Sequence, residues 1–308
     1  MTHLIALIDG SGYSQSVCDL TRWVAERTDA SVDLMHVLGR RGVGSEPADL
    51  SGNLKLGART ALLKELSDLD EQKAKLELKR GRLLLEEAKS GLEEGGLKTV
   101  GTKLRHGDLI ESLAEFEGDA DLIVIGKRGE AADFAKLHLG SNLERVVRAA
   151  HKPVLVASRA FKPIEKFLIA FDGGESAMKA VRHIAAGKLF TDLPCTLLCV
   201  GKSTDSLQTK LDEAAAILRT AGYSVNAEFA AGEPEDVIKD RIEADNIDLL
   251  VMGAYGHSRI RNLIIGSTTT EMVRSCHVPV MMFRSAGQNS IIRQIKSPAD
   301  HLPGFCHT

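Results

Sequence analysis

The stretch Asp121-Leu-Ile-Val-Ile-Gly126-Lys-Arg-Gly129, continued by Gly140-Ser141 and by His151-Lys-Pro153-Val-Leu-Val156, recurs later in the chain. Its second form is Asp248-Leu-Leu-Val-Met-Gly253-Ala-Tyr-Gly256, then Gly266-Ser267, then His277-Val-Pro279-Val-Met-Met282. Asp121 and Asp248, Gly126 and Gly253, and Gly129 and Gly256 all stand 127 residues apart, whereas Gly140 and Gly266, Ser141 and Ser267, and His151 and His277 stand 126 apart. Glycines, hydroxyls and apolar runs repeated in one order describe a tandem of related domains, with one residue lost inside the second glycine loop. Leu4-Ile-Ala-Leu-Ile-Asp9-Gly10-Ser11 matches Phe167-Leu-Ile-Ala-Phe-Asp172-Gly173-Gly174 at a spacing of 163, so the first copy holds about 36 extra residues between its opening strand and its glycine loop.

Short apolar runs alternate with helical spacing on either side of that repeat. In the first copy 4–8, 32–38, 122–125 and 154–157 read as strands, and 17–25, 109–116 and 141–150 as helices. In the second copy strands at 167–171, 195–200, 224–229, 249–252 and 279–283 alternate with helices at 176–187, 206–221, 234–244 and 267–275. Continuously apolar strands that alternate with helices imply parallel sheets covered on both faces, an α/β class of two tandem Rossmann-like domains. Domains are expected at 1–158 and 163–286, with a tail at 287–308 that loses the pattern. A charged insertion at about 40–95 carries Leu62, Leu66, Leu69, Leu76 and Leu83 at helical spacing. It is expected to be an extended helix or helical hairpin lying on its own domain, with a self-association or partner-binding helix as the alternative, and Gly81 is its weak point.

Bulk composition narrows the partners. A net charge of −3 and a pI near 6.4 give no broad attraction to nucleic acid. No apolar run is long enough to span a membrane, and Met1-Thr-His-Leu lacks the start of a signal peptide, so a cytoplasmic protein is expected. The five cysteines form no Cys-x-x-Cys pair. Cys195 and Cys199 lie on one apparent strand, about 13 Å apart at about 3.3 Å per residue, and read as core residues. No histidine falls at metal-ligand spacing, and no metal site is expected.

The glycine loops carry the functional signal. Gly253 follows a buried strand, where a bare Cα admits a ligand to backbone amides, and Gly256 allows a turn. Gly266-Ser267-Thr268 opens a helix whose N–H groups suit phosphate oxygens. Thr268-x-x-Glu271 and Ser141-x-x-Glu144 also have the form of capping boxes, which need no ligand. Asp9 and Asp172 end the first strand of each copy, where a carboxylate can accept hydrogen bonds from a ribose or base, hold Mg2+, or simply close a turn. His257, Arg259 and Arg261 stand within reach of phosphates or solvent. Trp23, Tyr13, Met281 and Met282 read as core or interface residues.

With these motifs the chain resembles the universal stress protein family, whose nucleotide signature is Gly-x2-Gly-x9-Gly-Ser/Thr. The resemblance implies an ATP-binding, adenine nucleotide α-hydrolase-like fold with a five-stranded parallel sheet in each domain, and pairing of domains through their last strands. By motif position, Asp172, Val200, Gly253, Gly256, Gly266, Ser267 and Thr268 would surround ATP, alone or with Mg2+, in the second copy. Asp9, Val37, Gly126, Gly129, Gly140 and Ser141 are the first-copy positions. Ten residues separate Gly129 from Gly140, and Lys127-Arg128 replace Ala254-Tyr255. The departure favours the second site, with the first degenerate or regulatory, although the two cations could themselves attract an anion.

Neither copy shows a general base or a P-loop lysine. The expected function is therefore a stress or regulatory protein in which adenine nucleotide occupancy tunes conformation or the binding of an unidentified protein partner. Homodimerisation or other self-association is expected, catalysis at most slow ATP hydrolysis, and neither nucleic acid nor membrane insertion is expected. The alternatives are a nucleotide-free scaffold and a slow ATPase or adenylating enzyme. For the latter, Asp172-Gly-Gly-Glu-Ser176 shares only part of the Ser-Gly-Gly-x-Asp-Ser pyrophosphate loop.

Overall fold

A computed structural model describes residues 2–39, 56–127, 141–254 and 267–284. The first half runs β1 (His3–Leu7), α1 (Ser14–Thr28), β2 (Ser31–Leu38), α2 (Leu56–Glu94), β3 (Val100–His106), α3 (Leu109–Phe116), β4 (Leu122–Gly126), α4 (Ser141–Ala149) and β5 (Val154–Ala157). The second repeats it as β6 (Phe167–Ala170), α5 (Glu175–Ala186), β7 (Cys195–Val200), α6 (Asp205–Thr220), β8 (Val225–Ala230), α7 (Pro234–Ala244), β9 (Leu249–Gly253), α8 (Ser267–Ser275) and β10 (Val280–Phe283). The expected tail at 287–308 lies outside the described residues.

All ten strands form one sheet in the order β3-β2-β1-β4-β5-β10-β9-β6-β7-β8. Pairing is parallel within each half, and the halves meet where β5 and β10 run antiparallel, with Met281 opposite Leu155. Successive strand residues face opposite sides. Leu4, Leu155, Phe167 and Met281 therefore fall in one core layer, while Ile5, Val156, Leu168 and Met282 fall in the other. Each layer runs unbroken across the seam, so the halves share a hydrophobic interior rather than touching edge to edge.

Polar contacts reinforce the seam. Arg27 Nε donates to the Leu189 carbonyl at 2.6 Å, and its Nη2 to the Thr191 carbonyl. The Arg27 guanidinium also lies over the ring of Trp23, which packs against Phe190. Trp23 is thus an interface residue, and Met281 and Met282 are core, as their sequence context implied.

Residues 40–55 of the expected insertion lie outside the described residues; the rest of it is one continuous helix of 39 residues, about 58 Å long at about 1.5 Å per residue. Gly81 does not break it. A Cβ there would stand 2.9 Å from Leu104 Cδ1 and 3.0 Å from His36 Cδ2, so glycine lets the helix settle onto β2 and β3. Leu85, Ala88 and Leu92 pack inward at the positions that Leu211, Ala214 and Leu218 hold on α6, each pair 126 residues apart. The C-terminal half of α2 is therefore the counterpart of α6, and only the turns before it are extra. This corrects the expectation that the whole of about 40–95 is inserted.

One strand escaped the sequence reading. β3 is an edge strand in which only Val100 is buried, and its remaining residues are half-buried or exposed. Strand patterning is weakest where a single face of an edge is covered.

His183 on α5 packs its ring against Phe283 of β10, centroids 5.1 Å apart. Desolvation of the ring against Phe283 lowers its pKa below the ordinary 6.5, the Lys179 charge adds to this and Asp121 opposes it, although the residue as a whole stays exposed. The unfolded chain then binds the proton more readily than the folded one, so acidification through the unfolded pKa costs stability until the folded pKa is passed. Because the side chain stays open to solvent, which screens the effect, we expect the melting temperature to fall only slightly as pH drops below about 6.5, and His183→Gln to flatten that slope. Thermal melts from pH 8 to 5 check this, and identical slopes in both proteins would remove His183 from the account.

Candidate functional site

In an open α/β sheet a crevice opens where strand order reverses, beyond the C-terminal strand ends. The order 3-2-1-4-5 reverses between β1 and β4, and its counterpart between β6 and β9. Asp9 and Gly126 stand at the first switch point, and Asp172 and Gly253 at the second.

At the first, a shallow, solvent-open cleft is lined by Asp9, Val37 and Gly126, and by Asn142 and Leu143 in the first turn of α4. The chain leaves β1 through Gly10, whose φ of +75° is a left-handed conformation that favours glycine. Asp9 Oδ1 accepts the Ser11 N–H at 3.0 Å, and Ser14 Oγ accepts the Gly10 N–H at 3.0 Å. The carboxylate thus closes a turn and also borders the cleft. His36 Nδ1 lies 2.7 Å from the Ile8 carbonyl. A carbonyl only accepts, so that nitrogen carries the proton. Met35, Val37 and Leu109 supply an apolar wall, and Tyr13 and Ser14 a polar lip. Tyr13, expected as a core or interface residue, stands half-buried on this lip instead. Its place on the lip follows from the turn ahead of α1, which carries no periodic signal.

Ser141 opens α4 with its side chain exposed. Glu144 does not reach back as a capping box requires; it accepts from Arg148 at 2.7 Å one turn later. Glu271 on α8 pairs with Arg274. Gly129 and Gly140 lie outside the described residues.

At the second switch point Asp172 Oδ1 accepts the Gly174 N–H at 2.9 Å, across Gly173 at φ +70°. Val200 ends β7 half-buried, next to Gly201 at φ +127°. Gly253 ends β9 where a Cβ would stand 2.9 Å from Ser176 Cβ, so close packing against α5 is itself a reason for glycine there. Thr269 Oγ1 donates to the Gly253 carbonyl at 3.2 Å and ties α8 to the strand end. Ser267 opens α8. Gly256, Gly266, His257, Arg259 and Arg261 lie outside the described residues, as do the side chains of Ser267 and Thr268.

The cation beside the first cleft has a structural partner. Lys127 Nζ donates to the Cys276 carbonyl at 2.7 Å, at the C-terminal end of α8 in the other half. Arg284, just past β10, donates in turn to the Arg148 carbonyl at the end of α4. Each half thus places a positive charge on the negative end of the other half's helix dipole. No sequence pattern could reveal a contact between residues so far apart.

Burial pushes the Cys195 thiol up to about 12 and those of Cys18, Cys199 and Cys276 up to about 11. Thiols held protonated at neutral pH are poor nucleophiles, in keeping with a core role. Among the described residues no group of three or more His, Cys, Asp or Glu side chains could hold a metal ion. No described helix is long and apolar enough to cross a membrane.

Comparison with known proteins places this geometry in context. The pattern described as the universal stress protein family matches residues 1–158 and 163–284. A universal stress protein of Synechocystis sp. is 38% identical over 287 residues, 92% of this chain and 100% of that protein. One from Mycolicibacterium smegmatis is 24% identical over 300 residues, covering 90% and 95% of the two chains. Among solved structures, a universal stress protein from Archaeoglobus fulgidus aligns with a TM-score of 0.61 at 19% identity, covering 92% of this chain and 97% of that one. At that identity the likeness speaks for the fold alone.

Proposed function

The chain belongs to the universal stress protein family, and we propose that it binds an adenine nucleotide and that occupancy adjusts how its two halves pack or what they contact. The observation that supports this most is the cleft at the first switch point, where Asp9, Val37 and Gly126 converge with the first turn of α4. The apolar wall of Met35, Val37 and Leu109 suits a base, and the Asp9 carboxylate suits ribose hydroxyls. The α4 N-terminus supplies partial positive charge for phosphates. ATP is the nucleotide proposed, alone or with Mg2+. The second switch point, with Asp172, Val200, Gly253, Gly256, Gly266, Ser267 and Thr268, is proposed as a companion site.

The regulatory part rests on Lys127. It follows Gly126 directly and bonds to the far half, so a ligand that shifts the end of β4 acts on an interhalf contact. A cytoplasmic stress or regulatory role, without fast catalysis, fits a site that offers main-chain groups and one carboxylate.

Asp9→Asn tests the site selectively, because an asparagine oxygen still accepts the Ser11 N–H and keeps the turn. Loss of the carboxylate is expected to weaken ATP binding about tenfold, equivalent to about 1.4 kcal/mol, with little change in melting temperature. Isothermal titration calorimetry reads it. Unchanged affinity would exclude Asp9 as a ribose ligand.

A further inference from the structure

The four exposed large apolar side chains among the described residues, Leu63, Leu69, Leu76 and Leu83, all lie on α2, at 50%, 51%, 66% and 55% exposure. Leu69, Leu76 and Leu83 are seven residues apart, and Leu62 extends the series by one more heptad. Leu66 joins them on the same side. The opposite side of the helix, through Gly81, Leu85 and Leu92, is buried on the body of the first half. Seven-residue leucine spacing on an outward helix face is the pattern of a coiled-coil seam.

Charge along the same helix is divided. Residues 64–71 hold Glu65, Asp68, Asp70 and Glu71 against Lys64, whereas residues 72–82 hold Lys73, Lys75, Lys79, Arg80 and Arg82 against Glu77. Two such helices side by side in parallel would set Lys73 against Lys73. Reversed, they set the acidic segment of each against the basic segment of the other. The last-strand edges that the family resemblance marks for pairing are already joined to each other within this chain, as β5 and β10.

We propose that α2 pairs with the α2 of a second copy as an antiparallel two-stranded coiled coil. Leu66 faces Leu76 of the second copy, Leu69 faces Lys73 beside Asp70, and Glu65 meets Lys79, each contact occurring twice about the two-fold axis. The pairing does not depend on nucleotide binding.

Sedimentation equilibrium and light scattering on the full-length protein test this. The wild type is expected to be a dimer. Leu69→Glu combined with Leu76→Glu is expected to raise the dimer dissociation constant at least about 100-fold, with the melting temperature of the isolated chain kept because both side chains face solvent. Glu65→Lys and Lys79→Glu are each expected to weaken the dimer, and the two together to restore it. A monomeric wild type, or a dimer indifferent to the leucine changes, would overturn the proposal. Failure of the charge swap to restore association would overturn the antiparallel register.

Discussion

Replacing Leu155 with aspartate is expected to unfold both halves of the protein together. Leu155 is fully buried, stands opposite Met281 where β5 meets β10, and belongs to a core layer that includes Phe167, Phe171 and Phe283 from the other half. An unpaired carboxylate there costs several kcal/mol, against a total stability on the order of 5–15 kcal/mol for a folded domain. Leu155→Ala, which leaves a cavity instead of a charge, is expected to cost about 2–5 kcal/mol and to shift one common transition. Calorimetric and circular dichroism melts distinguish the cases. If the second half kept its wild-type transition while the first melted early, the shared core would not couple them.

Val37→Trp is expected to weaken nucleotide binding at least about 100-fold, close to 2.7 kcal/mol. Val37 sits half-buried at the end of β2 with its side chain in the cleft wall, so an indole there fills the space proposed for the base. The strand end is open to solvent, and most of the added volume goes into the cleft rather than the core. A melt within a few degrees of wild type would show that the fold survived. Wild-type affinity in that folded variant would mean that nucleotide binds elsewhere, with the second switch point the next place to test through Asp172.

Much of the fold was legible in the sequence because each buried strand is a short, unbroken apolar run and the same order of runs occurs twice. Leu122–Ile125 and Leu249–Met252 needed no tertiary information to be recognised. β3 was not legible, since an edge strand such as Val100–His106 buries one side chain and otherwise shows polar residues. The insertion looked wholly foreign because charge hides the inward stripe of Leu85, Ala88 and Leu92, which matches α6 only once the halves are superposed by register. At the candidate site, motif position singles out Asp9, Val37 and Gly126, and the three line one cleft. Tyr13, His36 and Asn142 were not legible, because they arrive from a turn, a strand end and a helix start with no shared pattern. Lys127 carried a visible charge but no visible partner. Its bond to the Cys276 carbonyl exists only after β5 and β10 pair.

The most direct test is chemical. Purified protein is heat-denatured and the supernatant resolved by anion exchange, and the same preparation is titrated with ATP and Mg2+ while its melting temperature is followed. An adenine nucleotide in the supernatant, or a saturable rise in melting temperature that is lost in Val37→Trp, is the expected result. A supernatant free of nucleotide, together with a melting temperature indifferent to ATP, would contradict the nucleotide-binding account.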